Sequence, residues 1–257
     1  MEGWAHLPGM KPLASLILAM ALCLGGAARG ACDEVLIAVA ANFARPAEAL
    51  AERFESKTGH TVRLATGSTG ALYAQIRHGA PFDVFLAADQ ARPAALVDDG
   101  FAEADSLRTY AIGRLVLVSS RQGSDDPLAR LEARDVTRLA LANADLAPYG
   151  RAAEQVLTRL DTDLPPHQMI RGQNIAQTLV TFSTGNADLA FIARSQLDLV
   201  RPAAAHPIPS GWHDPIRQDA VLLTRGSGNP AAEAWMDFLT SPAAAQVLHN
   251  HGYGDGE

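Results

Sequence analysis

Short apolar runs alternate along this chain with stretches in which apolar residues recur every three or four positions. The first kind predicts a buried strand, the second a helix packed against it. Residues 35–41 form such a run. Asn42 follows, and then a helical pattern over 46–57 in which Leu50 and Phe54 share a face with Ala47 and Ala51 until Gly59 stops it. The unit repeats as strand 61–65, loop 66–70 and helix 71–78 with Gly79 as its stop. It repeats again as strand 83–87 and helix 91–98, capped by Asp89 and stopped by Gly100. Further on, 114–119, 139–142, 188–193 and 220–224 predict strands, and 129–135 a helix or a turn. Residues 149–160 and 174–184 predict helices, as do 230–239 behind Asn229 and 242–249 behind Ser241. The proline-rich stretch 201–215 predicts a loop.

Strand–helix alternation with short connections predicts a mostly parallel sheet with helices on both faces. Two such series, separated at 114–119 and rejoined near 220–224, predict an α/β protein of two lobes. Residues 31–113 plus 216–257 make the first lobe and 114–215 the second. No Gly- or Ser-rich tether lies between them, so the expected hinge is made of strands.

Residues 1–30 depart from this pattern. Lys11 precedes an apolar run over 13–24, and small residues follow at 25–31, broken by Arg29. That order predicts a secretory signal peptide, cleaved after Gly30 or Ala28, with a buried N-terminal helix as the alternative. The run is shorter than the roughly 20 residues of a membrane span. Cys32 near the cleavage point raises lipid anchoring as a rival, although Arg29 stands where that signal wants Leu. Cys23 leaves with the signal, so Cys32 has no partner for an internal disulfide and the exported chain must rest on its core. The formal charge of −7 argues against a nucleic-acid partner. It also means that an anion would have to be caught by local geometry rather than by a basic surface.

Two loops carry candidate chemistry. Ala41-Asn42-Phe43 and Gly67-Ser68-Thr69-Gly70 each link a predicted strand to a predicted helix. In an open α/β sheet they lie at the carboxyl ends of strands, where ligands bind. Each offers backbone N–H groups and a short polar side chain at a helix start, which suits an anion. Ordinary capping by Asn42, Ser68 or Thr69 is the alternative use of the same residues. The loops hold no carboxylate, lysine or arginine, so their neutral donors fit an oxyanion without a proton, such as molybdate or sulfate. Arg45 and Arg92, near helix starts, are the cations able to reach in. Other chemistry finds less support. His249 and His251 lie in a helix tail and no histidine pair has metal-ligand spacing. Asp83 and Asp89 suit a strand end and a helix cap. There is no Gly-x-Ser-x-Gly elbow, and 67–70 lacks the lysine and length of a nucleotide loop. A two-lobed enzyme using the same cleft remains an alternative of a different class, without a base or nucleophile to name.

The segments Val-Ala-Ala-Asn-Phe, Thr-Gly-Ser-Thr-Gly-Ala-Leu-Tyr-Ala-Gln-Ile and Gly-Ala-Pro-Phe-Asp-Val-Phe-Leu-Ala-Ala-Asp-Gln resemble the periplasmic molybdate-binding proteins of ABC importers. The resemblance spans about residues 35–252 and is strongest before Asp89. It implies a two-lobed (type II) periplasmic-binding-protein fold and a monomeric, non-enzymatic protein without a cofactor. Its ligand would be molybdate or tungstate, with sulfate as the alternative oxyanion, and its partner the membrane permease of an ABC importer. The implied oxyanion site is Asn42 from the first loop and Thr69 with Ser68 from the second. Backbone N–H groups join from two helix starts in the second lobe, at Tyr149 and at Ile175. Molybdate would then be held only through its oxygens, by Asn42, Thr69, Tyr149 and Ile175. Some members use a tyrosine in a segment like 188–194, where this chain has Ala193; the resemblance offers the Tyr149 hydroxyl in its place.

Overall fold

The computed structural model describes residue 1 and residues 33–121 and 126–254. The expected signal peptide, its cleavage point and Cys32 lie outside the described residues. Among those described, no helix is long and apolar enough to cross a membrane.

Strands β1 (Glu34–Ala40), β2 (Thr61–Gly67), β3 (Val84–Leu86) and β4 (Arg108–Gly113) belong to one five-stranded sheet. Strands β5 (Leu115–Ser119), β6 (Leu139–Ala142), β7 (Met169–Gly172), β8 (Leu189–Ala193) and β9 (Ala204–Pro207) form a second. The chain then returns as β10 (Ile216–Leu222) to the first sheet, whose order is β2-β1-β3-β10-β4; the second runs β7-β6-β8-β5-β9. Each sheet pairs its first three strands in parallel and takes one strand in antiparallel, β10 in the first and β5 in the second. Those two inserted strands are the ones that follow a passage between sheets. Helices α1 (Ala44–Thr58), α2 (Thr69–Arg77), α3 (Ala91–Asp98), α7 (Pro230–Leu239) and α8 (Pro242–Asn250) go with the first sheet. Helices α4 (Pro127–Glu132), α5 (Pro148–Arg159) and α6 (Ile175–Ser183) go with the second. The result is the expected two-lobed α/β fold.

Local chemistry explains the element ends. Gly59, at φ 79°, closes α1 in the left-handed conformation, and its N–H donates to the Glu55 carbonyl. Asp89 accepts from the Arg92 N–H at 3.0 Å, Asn229 from Ala231 and Ser241 from Ala244. Pro46 sits in the first turn of α1, where a missing N–H costs nothing, so that helix starts two residues before the expected point.

Three strands depart from the expectation. β4 and β7 fall at sheet edges, with mixed apolar and polar residues, and β9 lies inside the stretch expected to be a loop. Edge strands need little continuous apolar sequence, because one side and part of a face meet solvent. β10 also begins at Ile216 rather than at 220, since its first residues pair with β4.

Phe43, Phe54, Trp235 and Phe238 centre the first lobe's core, with ring centroids 5.3–6.1 Å apart among Phe54, Trp235 and Phe238. Leu117, Leu141 and Phe191 centre the second. Asp188 ties α4 to β8. Its carboxylate accepts from the Arg130 guanidinium at 2.6 Å and from the N–H groups of Thr137 and Arg138 at 3.0 and 2.6 Å. Burial alone would raise its pKa, but these donors together hold it below the ordinary carboxylate value. A depressed carboxylate stabilises the fold above its unfolded pKa and loses that contribution as pH falls through the folded one. Asp188→Ala is therefore expected to cost about 3 kcal/mol at neutral pH, since it takes the nearest carboxylate from the buried Arg130 guanidinium. In denaturant titrations that cost should shrink as pH falls below the ordinary carboxylate value.

Candidate functional site

β1 and β2 run in parallel with Ala40 opposite Gly67, so the loops that follow them start side by side. β6 and β7 repeat this in the second lobe, with Ala142 opposite Gly172, and lead into α5 and α6. Four chain segments, two from each lobe, thus leave the carboxyl ends of strands and turn into helices at one place. Between them lies a small cavity. Asn42, Ser68, Thr69, Tyr149 and Ile175 all line it, and all five are buried. The remaining lining is alanine, glycine, Pro148 and Asn174, with no charged side chain.

Asn42 belongs to the 3₁₀ turn Ala41–Phe43; Thr69, Tyr149 and Ile175 stand in the first turns of α2, α5 and α6. First-turn N–H groups have no acceptor within their helix. Among the described residues, no other protein acceptor faces these four. The caps are placed one step further in. Ser68 accepts from the Ala71 N–H at 3.3 Å and Asn174 from Gln177 at 3.0 Å, while α5 has no side-chain cap. Of these two neighbours, Ser68 caps the helix and Thr69 does not. The Thr69 hydroxyl accepts from the Ala88 N–H at 3.1 Å, which leaves its own proton to donate. Helix-start dipoles add partial positive charge at the same point.

Beside the cavity runs a buried polar network that sequence reasoning missed. Asn42 Nδ2 donates to Gln218 Oε1 at 2.9 Å and to the Tyr253 hydroxyl at 3.0 Å. Tyr110 reaches Gln218 Oε1 at 3.1 Å, and Gln218 Nε2 donates to the Tyr149 hydroxyl at 3.4 Å. The Tyr149 hydroxyl thus meets the hinge strand, while Tyr149 also lines the cavity. Gly113, at the end of β4, makes room for it: a methyl there would overlap that hydroxyl. The sequence carried no signal for it: Gln218 falls in the polar run Arg217-Gln218-Asp219, ahead of the strand expected at 220–224.

The two lobes are also clasped above the cavity. Gly70 N–H donates to the Leu146 carbonyl at 2.9 Å, and Arg92, paired with Asp89, donates to the Asp145 carbonyl at 2.7 Å. Ser195 Oγ donates to the Asn42 carbonyl at 2.8 Å. Arg92 is thereby committed to the rim, and neither it nor Arg45 lines the cavity. A pocket of about 740 Å³ opens beside the hinge, next to Arg114, His213 and Arg217, but it meets none of the four helix starts.

Two α/β lobes, a strand hinge and buried donors converging between the lobes define a protein that closes around a small ligand. The chain belongs to the family of bacterial extracellular solute-binding proteins, whose model matches residues 35–254. It is 45% identical over 226 residues to the molybdate-binding protein ModA of Azotobacter vinelandii, covering 86% of this chain and 90% of that protein. It is 41% identical over 237 residues to the ModA of Rhodobacter capsulatus, covering 91% and 94%. The solved structure of a periplasmic molybdate-binding protein from Azotobacter vinelandii superposes with a TM-score of 0.82 at 34% identity, over 87% of this chain and all of that one.

Burial pushes the hydroxyls of Tyr110 and Tyr149 well above the ordinary phenol value and raises that of Tyr253, so all three keep their protons far into the alkaline range. With neutral donors throughout, anion affinity is expected to vary by less than about threefold between about pH 6.5 and 9. Isothermal titration with molybdate across that range checks it; a fall tracking a histidine titration would place an imidazole at the anion.

Proposed function

We propose that this chain captures molybdate, or tungstate, in the periplasm and delivers it to the membrane permease of an ABC importer. The observation that carries this is the meeting of four helix starts from two lobes, with no charged side chain, at one buried cavity. Asn42, Ser68, Thr69, Tyr149 and Ile175 are its site residues. Asn42, Thr69, Tyr149 and Ile175 hold the metal only through its oxygens. The N-terminal 30 residues act as a signal peptide, and residues 31–113 plus 216–257 move against 114–215 about the β4–β5 and β10 passages. The protein works as a monomer, without cofactor or nucleic acid, and as a carrier rather than an enzyme.

The chemistry supports that reading. A hydrogen bond to a charged group contributes about 1.5–3 kcal/mol. Several of them, less the cost of closing the lobes, reach the roughly 8–12 kcal/mol of micromolar to nanomolar binding. The Azotobacter vinelandii and Rhodobacter capsulatus relatives are named for molybdate binding. Catalysis in this cavity would need a base to activate a hydroxyl such as that of Ser68 or Thr69, and its lining offers no carboxylate, imidazole, thiol or amine.

A thermal-shift series on the mature protein with molybdate, tungstate, sulfate and phosphate tests the ligand. Molybdate and tungstate should raise the melting temperature through mass action, and phosphate should not. A protein unmoved by molybdate and tungstate alike would sink the proposal. Thr69→Ala is expected to weaken molybdate binding about 10- to 100-fold by titration calorimetry while the protein stays folded.

A further inference from the structure

Gln218 is fully buried on β10, the strand by which the chain re-enters the first lobe. Ile216, two residues before it, packs in the second lobe's core; Ala220 and Leu222, after it, pack in the first's. The register of β10 against β4 shifts between Gln218 and Asp219. Such a bulge re-aims a side chain. Here the side chain meets Asn42 and Tyr110 through its carbonyl and Tyr149 through its amide nitrogen. It therefore touches one anion-loop residue from each lobe. Asn42 has two amide hydrogens, and both have acceptors, Gln218 and Tyr253. None is left for a ligand, whereas the Asn42 backbone N–H has no protein acceptor among the described residues.

We propose that Gln218 is the positioning residue of the anion site. It fixes the Asn42 side chain so that Asn42 serves the anion through its backbone N–H, and it sets the distance between the donors of the two lobes. This rests on the oxyanion-binding function proposed above and deepens it. Every polar group of such a network must be satisfied in the low-dielectric interior, so one conformation of the hub goes with one spacing of the helix starts. Gln218 thereby acts on selectivity as well as affinity: loosening that spacing lets a smaller oxyanion compete.

Gln218→Met keeps the volume and removes both hydrogen-bonding functions. In that variant, molybdate Kd is expected to rise at least about tenfold, chiefly through faster dissociation, and the preference for molybdate over sulfate to shrink. Asn42→Ala should weaken binding in the wild-type protein and add less than about twofold in the Gln218→Met background, since both changes remove the same link. A folded Gln218→Met protein with wild-type Kd and selectivity would overturn the proposal. So would an Asn42→Ala effect of equal size in both backgrounds, which would put the Asn42 amide on the anion itself. If Gln218→Met fails to fold, Gln218→Asn, one methylene short with both functions retained, decides by the same titrations. Wild-type protein that ignores molybdate would count against the proposed function instead, and is read first.

Discussion

The first turn of a helix presents N–H groups that the helix itself cannot satisfy, and burying one without a partner costs about 1–3 kcal/mol. Most helices settle this with a cap or with water. Here four such starts, at Asn42, Thr69, Tyr149 and Ile175, are buried against one another between two lobes, and the side-chain caps present serve other N–H groups further along. The closed arrangement of the lobes carries that cost unless an acceptor stands among the four. A tetrahedral anion supplies several acceptor oxygens from one centre. An anion at that point would draw on donors from both lobes at once.

The sheets make that meeting geometric rather than accidental. β1 and β2 end in register in one lobe and β6 and β7 in the other, so each lobe delivers a pair of helix starts. The inserted strands β5 and β10 knit the passages between lobes into the sheets themselves. Close approach then depends on residues without a side chain in the way. At Gly70 a Cβ would lie 3.2 Å from the Leu146 backbone across the cleft, and at Gly113 it would collide with Tyr149. Arg92 contributes at the rim, where its pairing with Asp89 leaves a guanidinium arm for the Asp145 carbonyl. That places the positive charge outside the cavity, as a fastener.

Much of this was legible in the chain. Buried strands announced themselves as apolar runs, and the loops at Asn42 and Thr69 stood out because a short polar residue followed such a run and preceded a helical pattern. Capping was harder to apportion: Ser68 and Thr69 are equally good caps on paper, and only the Thr69–Ala88 bond separates their duties. Edge strands β7 and β9 stayed hidden, since half-exposed strands have no continuous apolar signature. The second lobe's donors are backbone groups, which carry no side-chain mark; Tyr149 and Ile175 were reached through resemblance alone. Gln218, Tyr110 and Tyr253 lie far apart in sequence, and no local pattern joins them.

A site built from neutral donors differs in kind from one built on lysine or arginine. A cation in the cavity would raise affinity for every anion, because a point charge reads charge and little else. Fixed N–H groups and hydroxyls read position: each is strong only when an oxygen stands in its direction at hydrogen-bond distance. A protonated oxyanion also needs an acceptor for its own hydrogen, and a lining free of carboxylates at the helix starts offers mainly donors. Discrimination then rests on how rigidly the four starts are spaced. That spacing is held by the hinge strand and its buried network together with the contacts that clasp the loops, Gly70 to Leu146 and Ser195 to Asn42. The determinants of selectivity therefore extend past the residues that touch the ligand to the side chain that spans Asn42 and Tyr149.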